Sequence, residues 1–138
     1  MKSDPLETVK DFIQAINNHD VPALLNLMTP DHRFIDSLGN KVETSHKLSA
    51  AWEEYFRTVP DYHLDIHNQF VSGSDVALFG MASGTLSIGG TVLPENTWSI
   101  PVAIRAAVVS HQIREWQVFA DNEPIRAVMR CNPMGTGG

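Results

Sequence analysis

Trp98-Ser99-Ile100-Pro101-Val102-Ala103-Ile104-Arg105-Ala106-Ala107-Val108-Val109 alternates without a break. Trp98, Ile100, Val102, Ile104, Ala106 and Val108 share one parity, while Ser99, Pro101, Ala103, Arg105, Ala107 and Val109 share the other. Successive side chains of a strand point to opposite faces, so the stretch predicts a long strand with its first set buried. The second set is apolar apart from Arg105, which predicts that this face too is covered, by a second subunit or by helices.

On either side of this stretch the period stays at two. Ser110-His111 turns the chain into a last strand, Ile113 to Asp121. Upstream, residues 62–71 alternate through Leu64 and Ile66, Ser72-Gly73-Ser74 supplies a turn, and residues 75–88 carry Val76, Leu78, Ala82, Leu86 and Ile88 on one parity. Gly80 and Gly84 interrupt that strand and mark it as the place where the sheet bends. The second half of the chain therefore reads as a curved antiparallel meander.

The first half is helical. Asp4, Pro5 and Glu7 supply an N-cap, a first-turn proline and a capping-box acid ahead of Leu6, Val9, Ile13 and Ile16, which predicts a helix over 5–17. Asp20 caps a shorter second helix carrying Leu24, Leu25, Leu27 and Met28, ended by Pro30. Arg33-Phe34-Ile35-Asp36 reads as a brief strand closed by a turn at Leu38-Gly39-Asn40. A third helix starts near Thr44 or Ser45, carries Leu48, Ala51, Trp52, Tyr55, Phe56 and Val59 on one stripe, and stops at Pro60. The fold class is α+β.

A chain of 138 residues, 43% hydrophobic and 19% charged, has material for one packed core, predicted over residues 1–128 with 129–138 as a flexible tail. The net charge of −6 and the lack of a basic cluster interleaved with aromatics argue against nucleic acid as a partner. No segment has the length of a membrane span, and the N-terminus lacks a basic region leading into an apolar one. The single cysteine, Cys131, cannot form an intrachain disulfide, which fits a reducing, cytoplasmic setting.

The order of these elements, with Asp31-His32-Arg33-Phe34-Ile35-Asp36-Ser37-Leu38-Gly39, the Trp52-to-Pro60 segment followed by Asp61, and Gln112-Ile113-Arg114-Glu115-Trp116-Gln117-Val118-Phe119-Ala120-Asp121, resembles the SnoaL-like and ketosteroid-isomerase-like branch of the nuclear-transport-factor-two-like superfamily. The resemblance spans roughly residues 5–125. It implies a cone-shaped sheet wrapped around the N-terminal helices, a deep pocket, and commonly a homodimer through the outer sheet face. Function varies widely within the superfamily, from isomerases and polyketide cyclases to non-catalytic binding domains, so the residues must decide.

Asp36 falls where the isomerase-like pattern places its general base, and Asp121 where the SnoaL-like pattern places an acid/base residue. A carboxylate does such work when desolvation brings its pKa toward operating pH. Either Asp has an alternative role: Asp36 can accept backbone bonds in the turn at Leu38-Gly39, and Asp121 can start a turn or cap the closing segment. Parity puts Asp121 on the face of Phe119, Gln117 and Glu115, opposite Trp116 and Val118. The family's oxyanion donors correspond to Phe12 and to the apolar stretch near Ala103 and Ala106, which donate nothing and argue against steroid isomerisation. An epoxide-hydrolase relay would need an Asp beside Arg105, which the strand does not supply.

Six histidines, His19, His32, His46, His63, His67 and His111, raise the question of a metal. His63 and His67 lie in an alternating stretch, where a spacing of four separates them by about 13 Å, too far to share one ion. No metal and no cofactor is expected. Phe12, Trp52, Tyr55, Phe56, Trp98, Trp116 and Phe119 divide between core and pocket wall, with Arg105 as a candidate contact to ligand. Two readings follow: an acid/base enzyme of cyclase, isomerase or hydratase type acting on a small hydrophobic carbonyl compound, or a non-catalytic ligand-binding or association domain.

Overall fold

The computed structural model describes residues 4–131. Asp4 caps helix α1 (Pro5–Asn17) by accepting a bond from the Leu6 N–H, and the helix buries Val9, Phe12, Ala15 and Ile16. Asp20 caps α2 (Val21–Asn26) through the Ala23 N–H. Thr44 opens α3 (Ser45–Thr58), which buries Leu48, Trp52 and Phe56. The expected stripes of α1 and α2 face inward, and on α3 Leu48, Trp52, Phe56 and Val59 are buried while Ala51 and Tyr55 are exposed.

Six strands form one sheet in the order β2-β1-β6-β5-β4-β3, made of β1 (Met28–Ile35), β2 (Lys41–Glu43), β3 (His63–Ser72), β4 (Asp75–Ile88), β5 (Thr91–Val109) and β6 (Gln112–Phe119). The expected antiparallel meander is β3 to β6, and β1 joins it parallel to β6, so the sheet is mixed. Met28 belongs to β1 rather than to the second helix, and Pro30 lies inside that strand. Proline is tolerated there because β2 pairs only with Arg33, Phe34 and Ile35, and the β1–β6 register breaks between Met28 and Arg33. β6 stops at Phe119, two residues short of the expected end, and a fourth helix α4 (Glu123–Cys131) follows. The expected tail boundary at 129 thus falls inside a helix, while residues 132–138 lie outside the described residues.

β5 is longer than its clean alternation suggested, since it starts at Thr91 after a tight turn at Gly89-Gly90, both with positive φ. Its buried parity continues from Asn96 through Val108 as expected, and α1 lies across the inner face of the sheet. Register shifts in the β1–β6, β3–β4, β4–β5 and β5–β6 pairings bend the sheet over the helices without closing it. Gly80 sits beside one of these irregularities. A Cβ there would stand 2.0 Å from the Asp65 carbonyl oxygen, so the β3 backbone approaches closely only because this side chain is absent. We expect Gly80→Ala to cost about 1–3 kcal/mol, read as a lower urea midpoint at unchanged slope.

His32 of β1 is wholly buried; with Nδ1 protonated it donates to the Ile113 carbonyl at 2.6 Å, while Nε2 has no partner. Burial holds its pKa below the usual 6.5, outweighing the hydrogen bond and the nearby Asp31 and Glu115 carboxylates. The unfolded chain therefore binds this proton more readily than the folded one. Stability should be full above pH 6.5 and fall as the pH drops below it, and His32→Leu should flatten that part of a urea-midpoint profile between pH 8 and pH 5.

Candidate functional site

Between α1, α3 and the concave sheet face lies a cavity of about 330 Å³. Ile16 from α1, Trp52 from α3, Val102 and Ile104 from β5, and Trp116 and Val118 from β6 give it apolar walls. Phe12 lies beneath, with its ring 4.6 Å from Trp116 and 6.3 Å from Trp52, so it supports two wall residues without touching the cavity. Polar groups enter from two sets of residues. Asp36, Ser37 and Asn122 form one, and Tyr55 and Tyr62 the other.

Asp36 does two jobs at the end of β1. Its Oδ1 accepts from the Leu38 and Asn40 N–H groups, both at 2.9 Å, and its Oδ2 accepts from Asn40 Nδ2 at 3.1 Å. These bonds build the turn into β2, with Gly39 at positive φ. Oδ2 keeps a second lone pair, and the residue still lines the cavity. Asn122 closes the same rim by donating from Nδ2 to Ser37 Oγ at 2.7 Å.

Tyr62 is placed by bonds to its neighbours' backbones. Its N–H donates to the Val59 carbonyl, and its own carbonyl accepts from His19 Nε2 at 2.9 Å. The His19 ring is stacked flat on Phe56, 4.2 Å between centroids. Asn17 pairs with both backbone groups of Leu64, and Asp61 accepts from the Thr85 N–H and hydroxyl. The segment 61–64 is thereby fixed to α1 and β4. Tyr55 meets the Tyr62 ring edge-on at 4.9 Å.

Burial favours the neutral phenol, pushing Tyr62 up to about 12 and Tyr55 further in the same direction, with a small added push from Tyr62. Both are hydroxyl donors throughout the physiological range.

Residues 9–116 match the model of the SnoaL-like domain. The chain belongs to the SnoaL-like family. No curated protein matches its sequence. Among solved structures, a proposed SnoaL-like polyketide cyclase from Shewanella putrefaciens superposes with a TM-score of 0.80 at 15% identity, covering 95% of this chain and 99% of that one. IdmH from Streptomyces antibioticus, a proposed polyketide cyclase, gives 0.77 at 20% identity, covering 93% and 99%. A hypothetical protein of ketosteroid isomerase-like fold from Catenulispora acidiphila, in complex with trimethylamine, gives 0.76 at 17% identity, covering 88% and 90%. These likenesses establish the fold that the sequence resembled.

Within this SnoaL-like chain the expected site residues separate. Asp36, Trp52, Tyr55 and Trp116 line the cavity, whereas Phe56 and Trp98 are core. Phe119 and Asp121 need correction. Ala106 pairs with Trp116 and Ile104 with Val118, so the inner face of β6 is the Trp116 parity and Phe119 points outward, 50% exposed. Asp121 accepts from the Glu123 N–H at the start of α4, and its side chain is 82% exposed. Arg105 also lies outside, bound to Glu115 and Asp75. Tyr62, Ser37 and Asn122 are polar wall residues that the sequence reading did not name as site candidates; for Tyr62 the available signal was its place at the head of the alternating stretch, on the parity of Leu64 and Ile66. His63 and His67 both lie on β3, and no group of three or more His, Cys, Asp or Glu is placed to hold a metal among the described residues.

The chain has only two tyrosines, so their titration can be read directly. We expect no phenolate absorbance step near pH 10 in the folded protein, with Tyr62 ionising at about 12, and two ordinary steps near pH 10 in urea. Because the unfolded phenols lose protons first, stability should decline above pH 10.

Proposed function

We propose that the cavity binds a small hydrophobic carbonyl compound and that Asp36 acts on it as a cofactor-independent acid/base residue. One observation carries the reading: among the described residues, Asp36 is the single carboxylate on a wall otherwise mostly apolar, with neutral phenols lining the same space. Asp36 Oδ2 takes a proton from the carbon next to the carbonyl. The C–H electron pair becomes the C=C bond of an enolate, and the carbonyl π pair moves onto oxygen. Tyr62 and Tyr55 supply hydroxyl donors toward that oxygen, in place of the donors missing at Phe12 and Ala103. Returning the proton to another carbon gives an isomer, and attack of the enolate on a second carbonyl gives a ring. SnoaL-like neighbours proposed as polyketide cyclases make this chemistry a natural use of the fold.

The second reading is non-catalytic binding. It is favoured by the turn, since both lone pairs of Asp36 Oδ1 are already committed to Leu38 and Asn40. In either case the protein works in the cytoplasm as a homodimer. The outer sheet face exposes Phe79 at 45% and Phe119 at 50%, with Phe70 beside Phe79, and the helices lie on the other side.

Deuterium exchange of the α-hydrogens of cyclohexanone in D2O, followed by NMR, separates the readings. Wild type should accelerate exchange. Asp36→Asn, whose amide oxygen can still serve the turn, should lose about 10²–10⁴-fold. Tyr62→Phe should lose about 10²–10³-fold, and exposed Asp121→Asn should lose nothing. Binding of cyclohexanone with no acceleration by wild type would leave only the non-catalytic reading.

A further inference from the structure

A second cavity, about 200 Å³, lies between α2, β1 and the start of α3, lined by Leu25, Met28, Thr29, Pro30, Ser45, Leu48 and Gln112. Leu48 also lines the larger cavity. It is the single residue common to both linings, and it is almost wholly buried. Leu48 therefore borders both spaces. The two differ in character. The larger is mostly apolar, whereas the smaller has the Ser45 and Thr29 hydroxyls and the Gln112 amide beside its apolar groups. Gln112 is held in place, donating from Nε2 to the Met28 carbonyl at 3.0 Å and the Asn26 carbonyl at 3.2 Å.

We propose that Leu48 is the specificity-determining residue that sets the length of ligand the main cavity accepts, with the smaller, surface-open cavity as an extension that Leu48 separates from that site. This rests on the larger cavity being the ligand site. Its consequence is a chain-length limit: a linear apolar ligand gains affinity with each methylene until it meets Leu48. Each buried methylene strengthens binding about fourfold, so the limit is a measurable break in slope. Shortening Leu48 opens the extension, while Leu48→Met, which keeps side-chain volume, leaves the barrier standing.

The test is calorimetric titration of wild type, Leu48→Ala, Leu48→Val and Leu48→Met with straight-chain 2-alkanones from butanone to dodecanone. Wild type and Leu48→Met should gain about fourfold per carbon up to a common length and then level off. Leu48→Ala should continue the same slope to longer chains, and Leu48→Val should level off in between. If Leu48→Ala fails to fold, the displaced break in Leu48→Val carries the test alone. An identical break in wild type and every folded truncation would overturn the assignment of Leu48. Absence of binding of any 2-alkanone by wild type would instead overturn the ligand-site reading on which it rests.

Discussion

β5 can bury only one of its faces, and that constraint orders the rest of the molecule. Its inner parity from Trp98 to Val108 is packed under α1, and hydrogen-bond pairing transmits the choice to each neighbour. Ala82 opposite Ile100 and Leu78 opposite Ile104 turn inward on β4, as Trp116 and Val118 do on β6. A shift of one residue in the β5–β6 ladder would exchange Trp116 for Gln117 on the wall, replacing a large apolar surface with an amide that has no partner there. The cost of burying an unpaired amide makes the observed register strongly preferred.

The cavity exists because the aromatic residues stop short of filling the space they surround. Phe12, Trp52 and Trp116 pack on one another with centroid separations of 4.6 and 6.3 Å for the Phe12 pairs, forming a rigid floor. Rigidity matters, since loosely held walls would collapse into the gap and recover its lost contacts. On the other side, bonds from Asn17, His19 and Asp61 fix the backbone around Tyr62. The phenol is therefore positioned by backbone geometry that is complete without any ligand.

Much of this was legible in the sequence because it rests on periodicity and capping. The α1 cap at Asp4, the α2 cap at Asp20, the bend at Gly80 and the buried parity of β5 each follow from local chemistry. What stayed hidden depends on pairing. Parity cannot place Asp121, which lies beyond the end of β6, and only the β5–β6 register says which face of β6 is inside. Pro30 was read as a helix stop because a proline inside a strand is excluded only where the strand has a continuous ladder, and β1 has none at that point. Tyr62 opens the stretch read as alternating but stands one residue before β3, and the place of its segment in the wall is set by contacts 43 and 47 residues away in sequence.

Under the proposed function, Asp36 would combine a structural and a chemical task in one side chain. The carboxylate sits where β1 ends, and the turn beyond must satisfy the Leu38 and Asn40 N–H groups; Asp is well suited to accept both through one oxygen. That arrangement fixes the side chain without a dedicated partner and leaves the second oxygen only singly engaged. The turn thus places the carboxylate, and under the proposed function an enolate formed beside it would rely on the phenols of the same cavity for stabilisation. Apolar walls around such hydrogen bonds would strengthen them. Placement by the turn and hydroxyl donors on the same cavity wall would then be complementary parts of the proposed site.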